Sequence, residues 1–336
     1  MARILVLGSG PAGLASALHL AANHQEVILV EKEERLGGSP RIYNCKAVGE
    51  CRQCGACLVA ERVYQVNSHP RIQVMTGCYI SAVHRNNNAF QVDLEGVSGT
   101  VRTNVAGIIL ATGFDLFDPG LRGEMGYGRL EQVVTARDME EKLMNTPGDW
   151  EEELGIMPRV AIIRCLGSRE QSRGVSYCSR VCCLYSEKLG RLLADRIPGA
   201  TVDIFSMDSQ RYHPVYATGS MEPVTYIRGM PSRVDRSYDQ SLIVKYEDSA
   251  QSAVRQGRYD WVVLCPAVLP AQSGQKVSDM LGVARDKRGF IDSVDGSTNQ
   301  AGVFAAGCCT GPKTILESLS SGQTAAGMLL RHLSSA

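Results

Sequence analysis

Short apolar runs and glycine-rich turns alternate along the N-terminal part of the chain. The run RILVL leads into Gly8-x-Gly10-x-x-Gly13, and apolar residues then recur with helical spacing from Leu14 to Ala21. A second apolar run, EVILV, is followed directly by Glu31. This order predicts a strand, a tight glycine turn, a helix and a second strand, which together make one βαβ-type unit.

The glycine turn and the acid after the second strand predict a dinucleotide site. Glycines allow a tight turn and let the backbone approach a pyrophosphate at a helix N-terminus, while the acid accepts hydrogen bonds from a ribose hydroxyl pair. Glycines alone also occur in ordinary turns, but the complete order of elements favours nucleotide binding. The candidate contacts in this unit are Gly8, Gly10, Pro11, Ala12, Gly13, Glu31 and Lys32.

Composition and charge remove several other classes of protein. The 336 residues include 35 Lys plus Arg and 35 Asp plus Glu, so no net charge points to nucleic acid as a partner. No apolar run approaches the length of a membrane span, and the N-terminal run lacks a basic signal-peptide segment, which predicts a cytoplasmic protein without membrane insertion. Twelve cysteines in such a chain favour metal, redox or catalytic roles over a disulfide framework.

Three later stretches complete a first resemblance. LGGSP at 36–40, GIILATGF at 107–114 and GVFAAGCCTGP at 302–312, taken with the first unit, resemble the FAD domain of two-dinucleotide-fold flavoproteins, the thioredoxin and glutathione reductase group. The resemblance implies FAD and an α/β fold with two Rossmann-like domains: a discontinuous FAD domain at 1–145 and 275–336, and a second domain at 158–270. It adds these cofactor-binding candidates: Gly37, Gly38, Ala111, Thr112, Gly113, Gly307, Cys308, Gly311 and Pro312.

Cys308 departs from that group. An acid that contacts the ribityl chain usually stands there, and a thiol is a weaker hydrogen-bond acceptor. Gly311 and the helix expected from about Thr314 could still present a positive dipole end to the flavin ring.

The second unit begins with the apolar run RVAIIRC at 159–165, after a Pro-, Gly- and acid-rich linker at 144–158. A glycine fingerprint for NAD(P)H should follow, but only Gly167 and Gly174 are present, at the wrong spacing.

Four cysteines occupy this region instead: Cys165, Cys178, Cys182 and Cys183. We expect Cys178 and Cys182 on one face of a helix whose N-terminal N–H groups stabilise thiolates. Four thiolates suit zinc, or an iron–sulfur cube in an electron-transfer setting.

The spacing C-x12-C-x3-C-C, with SR before the loop and SRVCC at its end, resembles the A subunit of heterodisulfide reductases and its bacterial relatives. MEPVTYIRGMPSRV at 221–234, WVVLCPAV at 261–268 and GPKTILESLSSGQTAAG at 311–327 extend this resemblance over nearly the whole chain. It implies that Cys165, Cys178, Cys182 and Cys183 hold a 4Fe-4S cluster close to the FAD. It also implies that Lys188 lies near the flavin N5; the alternative is a solvated Lys188 paired with Glu187 or Asp195.

The sequence shows no ferredoxin-like cysteine repeats of the kind added in the longer methanogen subunits. It therefore resembles the short A subunits of heterodisulfide reductase-like complexes in sulfur-oxidising bacteria, with quinone-linked subunits of sulfate reducers as a second possibility. The resemblance implies a homodimeric oxidoreductase subunit that exchanges electrons with other iron–sulfur subunits and has no useful turnover by itself.

A second cysteine group leaves three interpretations open. Cys45, Cys51, Cys54 and Cys57 include the ferredoxin-like spacing C-x2-C-x2-C, which predicts a second cluster if Cys45 or Cys78 is the fourth ligand. Cys45 and Cys51 could instead form a redox disulfide, although their C-x5-C spacing differs from the C-x4-C of lipoamide dehydrogenase-like enzymes. Free thiols near the flavin or a partner surface are the third interpretation. The disulfide supports the alternative function, an NAD(P)H-dependent disulfide oxidoreductase.

Overall fold

The computed structural model describes residues 3–51, 53–87, 89–97, 99–146, 148–208 and 224–335. Residues 221–223, which begin one of the stretches used for the resemblance, lie outside these ranges. The strands are β1 (Arg3–Leu7), β2 (Glu26–Val30), β3 (Ile72–Met75), β4 (Cys78–Asn86), β5 (Ala89–Gly96), β6 (Gly99–Val105), β7 (Gly107–Leu110), β8 (Phe114–Leu116), β9 (Val133–Thr135), β10 (Arg159–Leu166), β11 (Thr201–Ser206), β12 (Val224–Arg236), β13 (Leu242–Asp248), β14 (Ala253–Tyr259), β15 (Trp261–Pro266), β16 (Val268–Pro270) and β17 (Val303–Ala305). The α-helices are α1 (Pro11–Ala22), α2 (Ala56–Ser68), α3 (Ala136–Asn145), α4 (Trp150–Leu154), α5 (Cys182–Arg196), α6 (Gln272–Leu281) and α7 (Ile315–Ser335).

The chain divides into two compact units. Unit 1 comprises Met1–Arg41, Cys54–Asp115 and Leu269–Ala336, and unit 2 comprises Ile42–Gln53 and Leu116–Val268. The division drawn from the sequence, 1–145 with 275–336 and 158–270, stays a prediction of the folding domains. The linker predicted at 144–158 includes α4, a short helix that begins after Asp149.

Unit 1 is built on a parallel sheet with the strand order β17-β7-β1-β2-β3. Alternate residues of β1 enter two different hydrophobic clusters because successive side chains of a strand point to opposite faces. Ile4 and Val6 pack with residues of α1 and α7, whereas Leu5 and Leu7 pack with residues of the antiparallel sheet β4-β5-β6. Both faces of the parallel sheet are therefore covered, which explains why its strands are continuous apolar runs.

Helix α1 follows directly from the sequence. Pro11 occupies its first turn, where a missing N–H is tolerated, and Leu14, Ala17 and Leu20 turn a buried stripe toward the sheet. The antiparallel sheet β4-β5-β6, in contrast, is absent from the sequence-based prediction. Its period-two alternation, as in Phe90, Val92 and Leu94 buried on one face, was an available signal.

Unit 2 contains a seven-stranded sheet with the order β14-β13-β12-β11-β10-β15-β9. Strands β9, β10, β11, β12 and β15 run parallel, and β13 and β14 continue the sheet as antiparallel hairpins. The apolar and alternating runs TVDIFS, VTYIRG and LIVKYED lie in β11, β12 and β13. In the described part of the chain, no helix is long and apolar enough to cross a membrane.

The predicted α/β class is confirmed, since each unit is built on a sheet with parallel strands. The central strands β1 and β10 each lead into a loop and a helix. Both candidate sites lie where these strands end.

Candidate functional site

The four nucleotide-binding segments of unit 1 all begin at the carboxyl ends of parallel strands. The glycine turn follows β1, Glu31 follows β2, Ala111 follows β7, and Ala306 follows β17. Since these strands are neighbours in one sheet, their carboxyl ends bring the segments to one edge. Ligands of open α/β sheets bind at this edge.

At two positions of the first turn, neighbouring backbone atoms lie so close that only glycine fits. A Cβ on Gly13 would lie 1.8 Å from the Gly8 carbonyl oxygen, and a Cβ on Gly8, where φ is +102°, would lie 2.3 Å from the Ala111 oxygen. Gly10 differs, because a Cβ there would meet no atom within 4 Å. Gly10 is also the residue that precedes α1, so this open space faces the helix N-terminus, where an anionic pyrophosphate is stabilised.

The carboxylate of Glu31 is buried and fixed by the glycine turn. Ser9 donates to Glu31 Oε2 from its backbone N at 2.8 Å and from Oγ at 2.5 Å, and the Glu33 N–H donates to Oε1 at 3.1 Å. Glu31 is 6% exposed, whereas Lys32 is exposed and lies beside Glu33. Sequence reasoning identified Glu31 but missed Ser9, whose position inside the glycine turn was the available signal.

The LGG segment packs onto the same turn. The Gly37 N–H donates to the Ser9 carbonyl oxygen at 3.1 Å, and a Cβ on Gly38 would lie 3.0 Å from the Gly10 Cα. Gly307 likewise approaches α1, since its Cβ would lie 2.6 Å from Ala12 Cβ. The predicted segments around Gly38 and Gly307 thus each contact the glycine turn or the start of α1.

Thr112 carries a buried hydroxyl oxygen that has no hydrogen-bond partner among the described residues. This Oγ1 lies against α6, because a Cβ on Gly274 would be 2.6 Å from it. Buried polar atoms are nearly always bonded, so the orphaned Oγ1 indicates a place for a polar ligand atom. Gly113 follows with φ +75°. The open space at Gly10, the fixed carboxylate and this hydroxyl fit the polar groups of FAD.

Cys308 is directed into its own loop. Its Sγ donates to the Lys313 carbonyl oxygen at 3.4 Å and lies 3.8 Å from Ser318 Oγ, and burial raises the pKa of its thiol. The helix after it, α7, begins with a reciprocal cap in which Thr314 N donates to Glu317 Oε2 and Glu317 N donates to Thr314 Oγ1. Gly311 and Pro312 form the turn between them, with Gly311 at φ +125°.

In unit 2, the end of β10 and the start of α5 bring the cysteine set together. Cys165 is buried at the end of β10 with a left-handed φ of +62°, next to a register shift between Ile163 and Leu166. Cys182 and Cys183 are the first two residues of α5 and are also buried. Such a bulge with a non-glycine residue at positive φ is uncommon and re-aims the side chain.

The expectation that Cys178 shares a helical face with Cys182 is wrong, because α5 begins only at Cys182. Arg180 adopts φ +61°, and the Val181 N–H bonds back to the Ser179 oxygen, so the backbone before α5 forms a turn. In this turn the Arg180 N–H donates to Cys178 Sγ at 3.3 Å. An N–H directed at sulfur stabilises negative charge on that sulfur.

The thiols interact with one another. A hydrogen bond with Cys165 is the largest cause that raises the pKa of Cys182 to about 12, and Cys178 and Cys183 also act on it. A fifth thiol, Cys265 on β15, is fully buried nearby. Across the described residues, no three or more His, Cys, Asp or Glu side chains are arranged to hold a metal ion as they stand.

The loop between β10 and α5 is closed on itself. A Cβ on Gly174 would lie 2.2 Å from the Gly167 oxygen, which accepts a hydrogen bond from the Val175 N–H at 2.8 Å. Ser168 and Ser179 join their hydroxyls across the loop at 2.7 Å. Gly167 and Gly174 therefore hold the loop together and do not form the open cradle that Gly10 provides in unit 1.

Lys188 lies on α5 and is only 5% exposed. The alternative of a solvated side chain is therefore wrong. The two acids considered as its partners have cations of their own, since Glu187 bonds Arg191 at 2.8 Å and Asp195 lies beside Arg196. The action of Lys188 on a flavin stays a prediction.

The second cysteine group is divided between the two compact units. Cys45 and Cys51 belong to unit 2 and are exposed, whereas Cys54 and Cys57 belong to unit 1. The segment that carries Cys45 is attached to α3, because buried Lys46 bonds Glu140 and Asn44 also donates to that carboxylate. All three interpretations of this group stay predictions.

Comparison with known proteins shows what the chain is similar to. The family model "Pyridine nucleotide-disulphide oxidoreductase" matches residues 2–163. The chain is 28% identical to one of the iron-sulfur A subunits of the CoB–CoM heterodisulfide reductase of Methanopyrus kandleri, over 96% of this chain and 63% of the relative. It is 25% identical to the A subunit of the ferredoxin:CoB–CoM heterodisulfide reductase of Methanosarcina mazei, over 98% of this chain and 53% of the relative.

Among solved structures, the thioredoxin reductase of Lactococcus lactis matches with a TM-score of 0.69 and 17% identity over 100% of both chains, which shows the fold alone. The chain spans 53% to 63% of the length of the two heterodisulfide reductase relatives. The predicted resemblance is confirmed: the chain is a homologue of heterodisulfide reductase A subunits and carries a pyridine nucleotide-disulphide oxidoreductase domain.

Proposed function

We propose that the protein is an FAD- and 4Fe-4S-containing electron-transfer subunit of a heterodisulfide reductase-like complex that serves cytoplasmic sulfur oxidation. One observation carries the proposal: Cys165, Cys178, Cys182 and Cys183 interact at the strand end where the fold would otherwise present a nucleotide cradle. Homology to heterodisulfide reductase A subunits supports the flavin-dependent electron-transfer class. The sulfur substrate, the cluster and the complex are the proposed part.

In unit 1, the residues of the glycine turn bind and orient FAD. The N-terminus of α1 faces the pyrophosphate across the open space at Gly10, and Glu31, held by Ser9, accepts the ribose hydroxyls. Thr112 supplies its unpartnered hydroxyl to the cofactor. FAD, when bound, exchanges electrons in pairs or one at a time, which suits it to work beside a one-electron cluster.

In unit 2, four thiolates hold the cluster. Cys182 hydrogen-bonds Cys165 and Cys183 in this structure, so cluster binding has to separate these thiols and release the Cys182 proton. The N–H of Arg180 already donates to Cys178 Sγ at 3.3 Å. Lys188 on the same helix is proposed as the flavin neighbour that the family resemblance implies.

Partners are part of the proposal. The loop between β10 and α5 is closed by Gly174 against Gly167 and by the Ser168 and Ser179 hydroxyls, so it lacks the open nucleotide cradle through which NAD(P)H would deliver electrons. We infer that the protein works as a homodimer and exchanges electrons with iron–sulfur subunits that carry the substrate site.

Cofactor content tests the proposal directly. Protein purified without oxygen should contain about four irons and four acid-labile sulfides per FAD, as one 4Fe-4S cluster requires. About eight irons per FAD would indicate a second cluster, for which Cys51, Cys54 and Cys57, with Cys45 or Cys78 as the fourth ligand, are the candidates. Absence of iron and sulfide after reconstitution contradicts the proposal.

A pair of cysteine variants assigns the ligands. Cys182→Ser should lose the cluster yet keep FAD, because the flavin residues lie in unit 1. Cys265→Ser is the matched control: it removes a buried thiol of the same region that is not one of the four, and the cluster should stay. Equal iron content in both variants would refute the assignment.

A further inference from the structure

Arg164 is a fully buried cation beside the cysteine set. It lies on β10 immediately before Cys165, and 1% of its surface is exposed. Its Nη1 has no hydrogen-bond partner in the described part of the chain, and no carboxylate of that part forms an ion pair with it. Glu187, the acid on the facing helix, bonds Arg191 at 2.8 Å.

The fold holds the guanidinium against the start of α5. Nε donates to Ser186 Oγ at 2.6 Å, and Nη2 donates to the Cys183 carbonyl oxygen at 2.9 Å. The ring of Tyr226 lies 5.7 Å from its Cζ. Arg164 is thus fixed between the strand residue Cys165 and the helix residue Cys183, two members of the cysteine set.

A guanidinium keeps its charge in a protein, and an uncompensated buried charge is strongly unfavourable. Neutral hydrogen-bond acceptors such as Ser186 Oγ and the Cys183 carbonyl satisfy two of its donors but supply no opposite charge. Four thiolates around an iron–sulfur cube form a net anion at the same strand end and helix start. Such an anion would supply the missing charge and an acceptor for Nη1.

We infer that Arg164 is the counter-cation of the cysteine site and raises the reduction potential of the cluster bound there. The inference rests on the proposed function, because it requires an anionic cluster at Cys165, Cys178, Cys182 and Cys183. Reduction adds one electron and no proton, so the cluster becomes more negative and the nearby positive charge favours the reduced form. Arg164 is a positioning residue that acts through electrostatics and is not a ligand.

Three variants of β10 test this role. Arg164→Gln removes the charge, Arg164→Lys keeps it, and Arg159→Gln removes an arginine five residues earlier on the same strand, roughly 16 Å away along the strand. Arg159 is half-exposed and pairs with Asp203, so its loss should leave the site unchanged. The readout is the cluster midpoint potential, followed by electron paramagnetic resonance during a redox titration, together with iron, sulfide and FAD content.

We expect Arg164→Gln to lower the equilibrium constant for cluster reduction at least tenfold, which is a shift of about 59 mV toward negative potential for one electron. Arg164→Lys and Arg159→Gln should stay near the wild-type potential. Loss of the cluster in Arg164→Gln, with retention in Arg164→Lys, also supports the counter-charge.

Two results overturn the inference alone. One is an unchanged potential in Arg164→Gln with iron and sulfide present; the other is cluster loss in both Arg164 variants while FAD stays bound, which would show a packing role. A wild-type chain that takes up no iron and sulfide overturns the proposed function and the inference with it, so the two failures are distinguished by iron content.

Discussion

Gly10 and Gly13 lie in one turn, but their surroundings differ. Substituting each of them by alanine should therefore have different effects on stability and on FAD binding. A methyl group on Gly13 collides with the Gly8 carbonyl, whereas one on Gly10 enters open space. We expect Gly13→Ala to lower the free energy of unfolding by about 1–3 kcal/mol or more and to lose FAD. Gly10→Ala should keep the stability of the FAD-free protein but bind FAD more weakly, because the methyl occupies the pyrophosphate space.

Thermal unfolding of FAD-free protein and FAD titration separate the two effects. If Gly10→Ala binds FAD with wild-type affinity, the cofactor does not approach this turn, and the assignment of the site fails.

Cys309 gives a pH dependence of stability. Its thiol donates to the Ala306 oxygen at 3.1 Å and the Leu110 oxygen at 3.2 Å, and burial raises its pKa to about 11. An unfolded cysteine titrates near about 8.5. Between these values the folded state keeps a proton that the unfolded state has lost, so this contribution to stability declines as pH rises, by up to about 1.4 kcal/mol per pH unit.

Cys309→Ala removes this decline while adding a cavity cost that is the same at every pH. Urea unfolding at about pH 8 and about pH 10 should therefore show the wild type losing more stability than the variant across that interval. Parallel loss in both proteins would contradict the assignment of the decline to Cys309.

Single residues show where sequence reasoning ends. Glu31 was predictable because its function requires a fixed place after the second strand. The burial of Lys188 and Arg164 was not, since charged residues are usually exposed and only the packing of α5 on the sheet excludes water. Arg164, an arginine that follows four apolar residues within the run RVAIIRC, was nevertheless a usable signal.

At the scale of elements, a buried ion pair attaches the Cys45 segment to α3. Lys46 Nζ lies 2.5 Å from Glu140 Oε1, with side-chain exposures of 6% and 9%. Lys46→Met leaves the carboxylate buried without its cation, and we expect a loss of about 3–5 kcal/mol in the free energy of unfolding.

The matched control is Lys142→Met, at a lysine on α3, the helix that also carries Glu140. Its partner Glu153 is partly exposed, and Lys142 also lies over the Trp261 ring. Water screens this pair, so we expect a loss of about 1 kcal/mol. Chemical denaturation of both variants measures the difference. Equal losses of unfolding free energy would show that burial does not make the Lys46–Glu140 pair more stabilising than the Lys142–Glu153 pair.

Elements were predictable where local chemistry and periodicity agree. Pro11 and the apolar stripe of α1 mark a helix that the structure contains. The start of α5 was misplaced by four residues because the left-handed Arg180 interrupts the helix, and arginine carries no sequence signal for that conformation. Long-range pairing, such as the Lys46 bond to Glu140, depends on the tertiary fold and cannot be predicted from the local sequence.

For the whole molecule, the two units share a fold plan but differ at the end of the central strand. Strand β1 leads into an open turn that fits a pyrophosphate, whereas β10 leads into a loop closed by Gly174 against Gly167 and by the two serine hydroxyls. This contrast favours the proposed electron carrier over the NAD(P)H-dependent disulfide reductase. The sequence showed it through the missing glycines, although not the thiol contacts that replace them.

We therefore predict that the isolated protein is not reduced rapidly by NADH or NADPH, while dithionite bleaches its flavin. Reduction of disulfides or persulfides with either nucleotide should stay below about 1 per second, the low end of ordinary enzyme turnover. Stopped-flow absorbance of the flavin under anaerobic conditions provides the measurement, and a thioredoxin reductase assayed in parallel confirms that the nucleotides are active. Faster reduction of a disulfide substrate, abolished by Cys45→Ser or Cys51→Ser but unaffected by Cys182→Ser, would establish the reductase instead, because electrons would then pass from nucleotide through flavin to the exposed N-terminal thiols.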